Sequence, residues 1–297
     1  MNQVLIVDKP AGMTSHDVIN RVRRILGERS IGHLGTLDPA ATGVLPLVVG
    51  NFTRLAQFYL GAEKSYEGII RLGFATDTYD AEGEVIGDKT VSACVLEQVR
   101  EAASRFVGKI EQMPPPFSAK KIKGVPAYKL ARKQQDVVLN PVSVEVFEFE
   151  VFASENSPDD TSCVAFSARV SAGTYIRSIA HDLGQALGCG GHLETLRRTS
   201  HGEFTLSDAH TLETLSGATA EEREEFFLHP RKLLPGIPSV TANNEQLALI
   251  QCGRAVNLPE MSKSKYVKVF RGQREIIAIA TRVAGTLFHP KIVLAQG

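Results

Sequence analysis

Apolar and polar positions along the chain follow two rhythms, and the changes between them mark out the elements. Residues 4–10, VLIVDKP, are mostly apolar and β-branched and predict a buried strand ended by Pro10, Ala11 and Gly12. Apolar side chains then recur at Val18, Ile19, Val22, Ile25 and Leu26, the spacing of one helical face, with Thr14 or Ser15 as the N-cap. The Gly- and Pro-rich stretch GHLGTLDPAATG follows and runs into the apolar strand VLPLVVG, so a loop is carried directly on a strand framework. From Ser65 the pattern gives a strand, a turn and a second strand. SACVLEQVREAASRFVG then reads as an amphipathic helix with Val95, Val99, Ala102 and Phe106 on its apolar side.

Three consecutive prolines forbid helix at the start of QMPPPFSAKKIKGVPAYKLARK, while AYKLARK suits a short helix. Strands resume with VEVFEFEVF and, beyond the polar ENSPDD turn, with TSCVAFSARVSAG. YIRSIAHDLGQALG is a helix with Ile176, Ile179, Ala180 and Leu183 facing the sheet and Gly184 or Gly188 near its end. Pro235, Gly236 and Pro238 mark a linker, and a second unit is expected over 233–297, with one helix in NEQLALIQCG and strands in YVKVF, EIIAIATRV and KIVLA.

Charge changes this picture only locally. The 33 basic and 33 acidic side chains cancel over the 297 residues, but eight Lys or Arg lie between Arg105 and Lys133 against the single acid Glu111. A local positive field of that kind suits phosphate contacts, although a solvated loop has the same composition. No apolar run approaches the roughly 20 residues that cross a bilayer. The N-terminus lacks a basic start and small-residue cleavage pattern, and a cytoplasmic location is expected. Cys94, Cys163, Cys189 and Cys252 are not at CxxC or metal-finger spacing and read as reduced thiols.

The chemistry concentrates in a few segments. GHLGTLDPAATGVL carries Asp38 in a loop where Pro39 fixes its own backbone angle and restricts that of the aspartate. A lone LDP would equally be a turn with an aspartate cap. Fourteen consecutive positions here, however, resemble the catalytic motif of the TruB family of tRNA pseudouridine synthases. The resemblance extends through LIVDKPAGMTSHDVINRVRR, KSYEG, FSAKKIKGVPAYKLAR, SAGTYIRSIAHDLG and GGHLETLRRTSHGEF, covering residues 3–232, and continues more loosely beyond.

That resemblance implies an α+β fold with a mixed, mainly antiparallel central sheet and flanking helices. A catalytic domain would span 1–232 with an RNA-gripping insertion at about 109–136, and a small β-rich, PUA-like domain would span 233–297. Asp38 would be the essential carboxylate, Tyr66 the residue that stacks on the base and takes its C5 proton, and Arg177 the cation paired with Asp38. His33, Tyr175 and Leu196 would border the flipped nucleotide. Lys9 and Pro10 would brace the loop. Arg197 or Arg198 would reach phosphate, and Lys120, Lys121, Lys123, Lys129 and Arg132 would follow the T-arm backbone. The implied reaction cleaves the N1–C1′ bond of uridine 55, rotates the uracil and joins C5 to C1′, with Asp38 as nucleophile or base. It uses no cofactor or metal. The expected partner is tRNA, through the T arm and the acceptor end, with no obligate protein partner and a monomeric chain. A guide-dependent relative, a non-catalytic RNA-folding protein and a glycoside-processing protein are the competing readings. The last of these ordinarily needs a second placed carboxylate.

Overall fold

The computed structural model describes residues 1–87, 95–117, 121–122, 125–126, 139–154 and 162–294. In chain order the first elements are β1 (Gln3–Lys9), α1 (Ser15–Leu26), β2 (Ile31–His33), β3 (Thr42–Val49), β4 (Lys64–Leu72), β5 (Ala75–Thr76) and β6 (Val85–Ile86). Then come α2 (Leu96–Ser104), β7 (Gly108–Gln112), β8 (Lys121–Ile122), β9 (Val125–Pro126), β10 (Val142–Ala153), β11 (Cys163–Val170), α3 (Ile176–Ala186) and β12 (Gly191–His201). The remainder is β13 (Phe204–Thr205), β14 (Ala209–His210), α4 (Leu212–Gly217), α5 (Ala220–Glu224), β15 (Ser239–Thr241), α6 (Asn244–Gln251), β16 (Val256–Asn257), β17 (Tyr266–Arg271), β18 (Glu275–Ala284) and β19 (Leu287–Val293).

Contacts divide the chain into two compact units, one of Met1–Asp38, Val44–Leu60 and Glu203–Gly297, the other of Pro39–Gly43 and Gly61–Gly202. In the first unit β1 lies between β14 and β3, and β2 pairs antiparallel with β3. α1 begins where expected. Thr14 accepts from the Asp17 amide at 3.1 Å and its own amide donates to Asp17 Oδ2 at 3.0 Å, a reciprocal cap of the kind that contributes about 1 kcal/mol. The helix buries Val18, Ile19 and Val22 and stops at Gly27, whose φ of 64° suits a residue without Cβ.

The segment 233–297 forms a five-stranded sheet in the order β15-β17-β18-β19-β16, the β-rich C-terminal module the sequence implies. Residues 203–297 group with the N-terminal strands, and Phe270, Ile276, Ile279, Ile292 and Leu294 share a core with Val4, Ile6, Phe52 and Leu55. The linker read at Pro235, Gly236 and Pro238 is preceded by backbone held by two charged side chains, the buried Lys268 and the partly exposed Glu203. Lys268, 2% exposed, donates to the carbonyls of Leu233 at 2.6 Å and Leu234 at 3.2 Å. Glu203 accepts from the Leu234 amide at 2.9 Å and the Tyr59 hydroxyl at 2.8 Å.

The second unit is an antiparallel sheet in the order β12-β4-β11-β10-β7, with α2 and α3 as its helices among the described residues. β10 alternates as its VSVEVFEFEVFA sequence demands, apart from a register shift at Val146/Glu148. α2 starts later than the apolar pattern suggests because Val95 is extended, with φ −76° and ψ 150°, and serves as the cap. The helix expected in AYKLARK, residues 127–133, and the start of SACV, residues 92–94, lie outside the described residues.

Candidate active site

In the first unit the segment leading to Asp38 is tied down at two points. β2 pairs with β3 in the register Ile31↔Val49, Gly32↔Val48 and His33↔Leu47, and the Leu34 amide continues the pairing to Pro46 O at 3.0 Å. His33 is thus the last strand residue before the loop. Three residues after that tether, Leu37 is clamped from α1. Its amide donates to Ser15 Oγ at 2.9 Å, and the Ser15 hydroxyl donates back to Leu37 O at 3.1 Å. Ser15 is 2% exposed and Leu37 4%. One buried hydroxyl therefore satisfies both backbone groups of the residue before Asp38, which is itself half-buried. Lys9, fully buried at the end of β1, donates from Nζ to Pro10 O at 2.9 Å, which puts its ammonium at the turn out of that strand.

In the second unit the exit from the same loop is fixed by β12. Thr42 and Gly43 pair parallel with Arg197 and Arg198. Gly43 has φ 99°, and a Cβ there would lie 2.2 Å from Arg198 O, so only glycine permits the approach. Thr42 also holds the neighbouring residues. Its hydroxyl donates to Leu196 O at 3.5 Å and accepts from Arg197 Nη1 at 3.4 Å.

Tyr66 sits on β4, 7% exposed, opposite Ala168 of β11 and Arg198 of β12. Arg198 is completely buried and hydrogen-bonds to Tyr66, its guanidinium donating to the phenolic oxygen. Burial pulls its pKa below the ordinary guanidinium value, and Tyr66 works against that pull. Lys64, two residues earlier on β4, donates to Ala62 O at 3.0 Å, and burial together with repulsion from Arg198 lowers its pKa to about 8. Arg198 thus departs from the phosphate-reaching role the sequence left open for it. Of the Arg197/Arg198 pair, only Arg197 is partly exposed.

Arg177, 7% exposed near the start of α3, has an acidic partner that the sequence reading did not name. Its Nη1 donates to Asp80 Oδ2 at 3.1 Å and to Thr78 O at 3.2 Å, and Nη2 donates to Phe117 O at 3.1 Å. Asp80 is fixed in turn by the Thr78 hydroxyl at 2.6 Å and the Glu82 amide at 3.1 Å. Between them Tyr79 has φ 66° and stacks on His181 of α3, ring centroids 3.8 Å apart. The Tyr175 amide and carbonyl are both taken by the Gln112 side chain, at 2.8 and 3.0 Å, and Ser178 Oγ donates to Met113 O at 2.7 Å. The proline-rich strand exit is therefore fastened to the start of α3. Of the expected RNA-contact residues, Lys120, Lys123, Lys129 and Arg132 lie outside the described residues, and Lys121 is described by its backbone alone, in β8.

Known proteins place this arrangement in a family. Residues 23–176 match the profile of the TruB family pseudouridylate synthase N-terminal domain, and residues 177–235 match that of the tRNA pseudouridylate synthase B C-terminal domain. The chain is 47% identical to tRNA pseudouridine synthase B of Solibacter usitatus (strain Ellin6076), over 99% of its own length and 100% of the relative's. It is 37% identical to tRNA pseudouridine synthase B of Aquifex aeolicus (strain VF5), over 99% and 100%. A chain in the crystal structure of a Cbf5-Nop10-Gar1 complex superposes with a TM-score of 0.72 at 26% identity, over 99% of this chain and 85% of that one. The protein, with its LDP loop clamped at Leu37, is a member of the TruB family of pseudouridylate synthases.

Proposed function

We propose that this enzyme converts uridine 55 in the T loop of tRNA to pseudouridine. Support for tRNA as substrate comes from the full-length relatives called tRNA pseudouridine synthase B. The observation that carries the mechanism is the Ser15–Leu37 clamp, which fixes the backbone immediately before Asp38 while leaving that carboxylate half-buried on a loop. A group held this way can meet a reacting sugar with little reorganisation.

In this reading Asp38 acts at the ribose, as nucleophile on C1′ or as base on the 2′ position. Arg177 supplies the cation that keeps it ionised. The target uridine leaves its stack to enter the site, and stacking on Tyr66 against Leu196 offsets part of the cost. His33 and Tyr175 border the displaced nucleotide, and Tyr66 takes the C5 proton after the uracil is rejoined. Lys9 and Pro10 brace the loop. Arg197 and the basic residues Lys120, Lys121, Lys123, Lys129 and Arg132 follow the phosphate backbone, which makes binding salt-dependent. Residues 233–297 add contacts toward the acceptor end, and the chain works as a cytoplasmic monomer.

The test is incubation of unmodified tRNA transcript with the wild-type chain and with Asp38→Ala, followed by carbodiimide primer extension. Modification of the T-loop uridine by the wild type alone is expected. Tight binding by both without modification would instead favour an RNA-binding role or a different RNA target.

A further inference from the structure

The base assigned to the last chemical step is a phenol, and a phenol is an unfavourable base at neutral pH because its ordinary pKa is near 10. Something beside it has to make the phenolate accessible. Tyr66 faces Arg198 directly across the antiparallel β4–β12 pair, where side chains on one face are neighbours. A register shift follows at Arg198/Ser200, and such irregularities re-aim side chains. On the other side of β12, Gly43 presses onto the Arg198 backbone at a distance only glycine allows, and Thr42 pairs with Arg197. Arg198 is thus held along both edges of its strand and is fully buried, with its guanidinium on the Tyr66 oxygen.

Resting on the proposed reaction, we propose that Arg198 is a positioning residue for Tyr66, holding its hydroxyl and stabilising the phenolate that removes the C5 proton. A cationic donor to an oxygen in a water-poor site favours the ionised form of that oxygen far more than it would in water. Tyr66 gives its proton to water and enters the step as phenolate. After C5 has joined C1′, the phenolate takes the C5 hydrogen as a proton. The C5–H electron pair forms the C5–C6 double bond, the C6–N1 π pair moves to N1, and N1 takes a proton from water. The hydroxide left behind is neutralised by the proton Tyr66 first released, so the step is a net isomerisation.

The charged neighbours agree in sign. Lys64 on β4 adds a second cation two residues from Tyr66, with His201 opposite it on β12. Arg169 of β11, next to Ala168, is occupied on the exposed side by Glu63 and Glu148, and Arg177 of α3 is held by Asp80.

The experiment measures single-turnover pseudouridine formation against pH, with protium or deuterium at C5 of the target uridine, for wild type, Arg198→Met and Arg198→Lys. Circular dichroism and tRNA affinity are followed in parallel. Arg198→Met is expected to slow turnover about 100-fold with affinity unchanged, in line with the loss of general-base assistance. Its rate should climb with pH where the wild type is flat and should show a primary deuterium effect, and Arg198→Lys should recover part of the rate. A wild-type rate and pH profile in Arg198→Met would overturn the proposal. So would a loss in both variants that tracks lost folding or binding. Asp38→Asn and Tyr66→Phe run beside them keep the two readings apart. If the wild type makes no pseudouridine, the proposed function fails; if it does and both of these are inactive while Arg198→Met is normal, only the role of Arg198 fails.

Discussion

Two of the cations buried among the described residues, Lys268 and Arg198, are buried for different purposes. Lys268, in the C-terminal module, gives its protons to backbone carbonyls at Leu233 and Leu234, acceptors that do not titrate. Arg198, in the sheet of the other unit, gives one to the Tyr66 hydroxyl, a group that does. Both carry the desolvation cost of an enclosed charge, which lowers the pKa of each. Burial alone therefore does not mark a functional cation. The partner marks it, because only a titratable partner turns a fixed charge into control over a proton.

The contrast is broken most severely by exchanging the two sites' expected phenotypes. Arg198→Met should cost about 100-fold in turnover, whereas Lys268→Met should leave the rate per folded molecule unchanged and lower unfolding stability by about 1–3 kcal/mol, the usual cost of orphaned buried acceptors. Denaturant unfolding beside single-turnover kinetics separates the two. If Lys268→Met slowed turnover without loss of stability, the distinction would collapse.

Next in size is Ser15→Ala, which removes both bonds to Leu37 while touching no reacting group. A drop of about 10- to 100-fold in rate is expected from a loosened Asp38, with a stability loss of about 1–3 kcal/mol. Equal rates in Ser15→Ala and wild type would mean that the clamp serves folding alone.

The smallest effect concerns Lys64. Its folded pKa of about 8 lies below the ordinary lysine value, so between the two the unfolded chain retains a proton that the folded protein has lost. Stability should accordingly rise with pH across that window and be penalised below it. Lys64→Met should flatten the rise in unfolding midpoints; an unchanged slope would contradict the buried-amine assignment. The side chain keeps some solvent contact, so the slope will be shallow.

The LDP loop, the strand running out of it and the capped helix α1 were legible in the sequence because each is local: a turn chemistry, a period, a cap. The α3 stripe of Ile176, Ile179, Ala180 and Leu183 was legible for the same reason, and all four are buried. What escaped depends on distant register. Arg197 and Arg198 are adjacent, and alternation sends them to opposite faces, but which one turns inward is set by β12 pairing and its irregularities near Leu193/Thr195 and Arg198/Ser200. Asp80 meets Arg177 across 97 residues through a turn whose Tyr79 adopts a positive φ that its sequence does not announce. The Pro/Gly stretch at 235–238 has linker composition, yet its immediate surroundings are bound by Glu203 and Lys268, partners remote in sequence.

In the proposed reaction Asp38 carries the chemistry while other groups hold the bound RNA. Single-turnover conversion of tRNA by Asp38→Asn at saturating enzyme, an isosteric change that removes the charge, decides whether it does. No conversion at wild-type affinity is the predicted result. Conversion near the wild-type rate would contradict it and move the reaction to another residue.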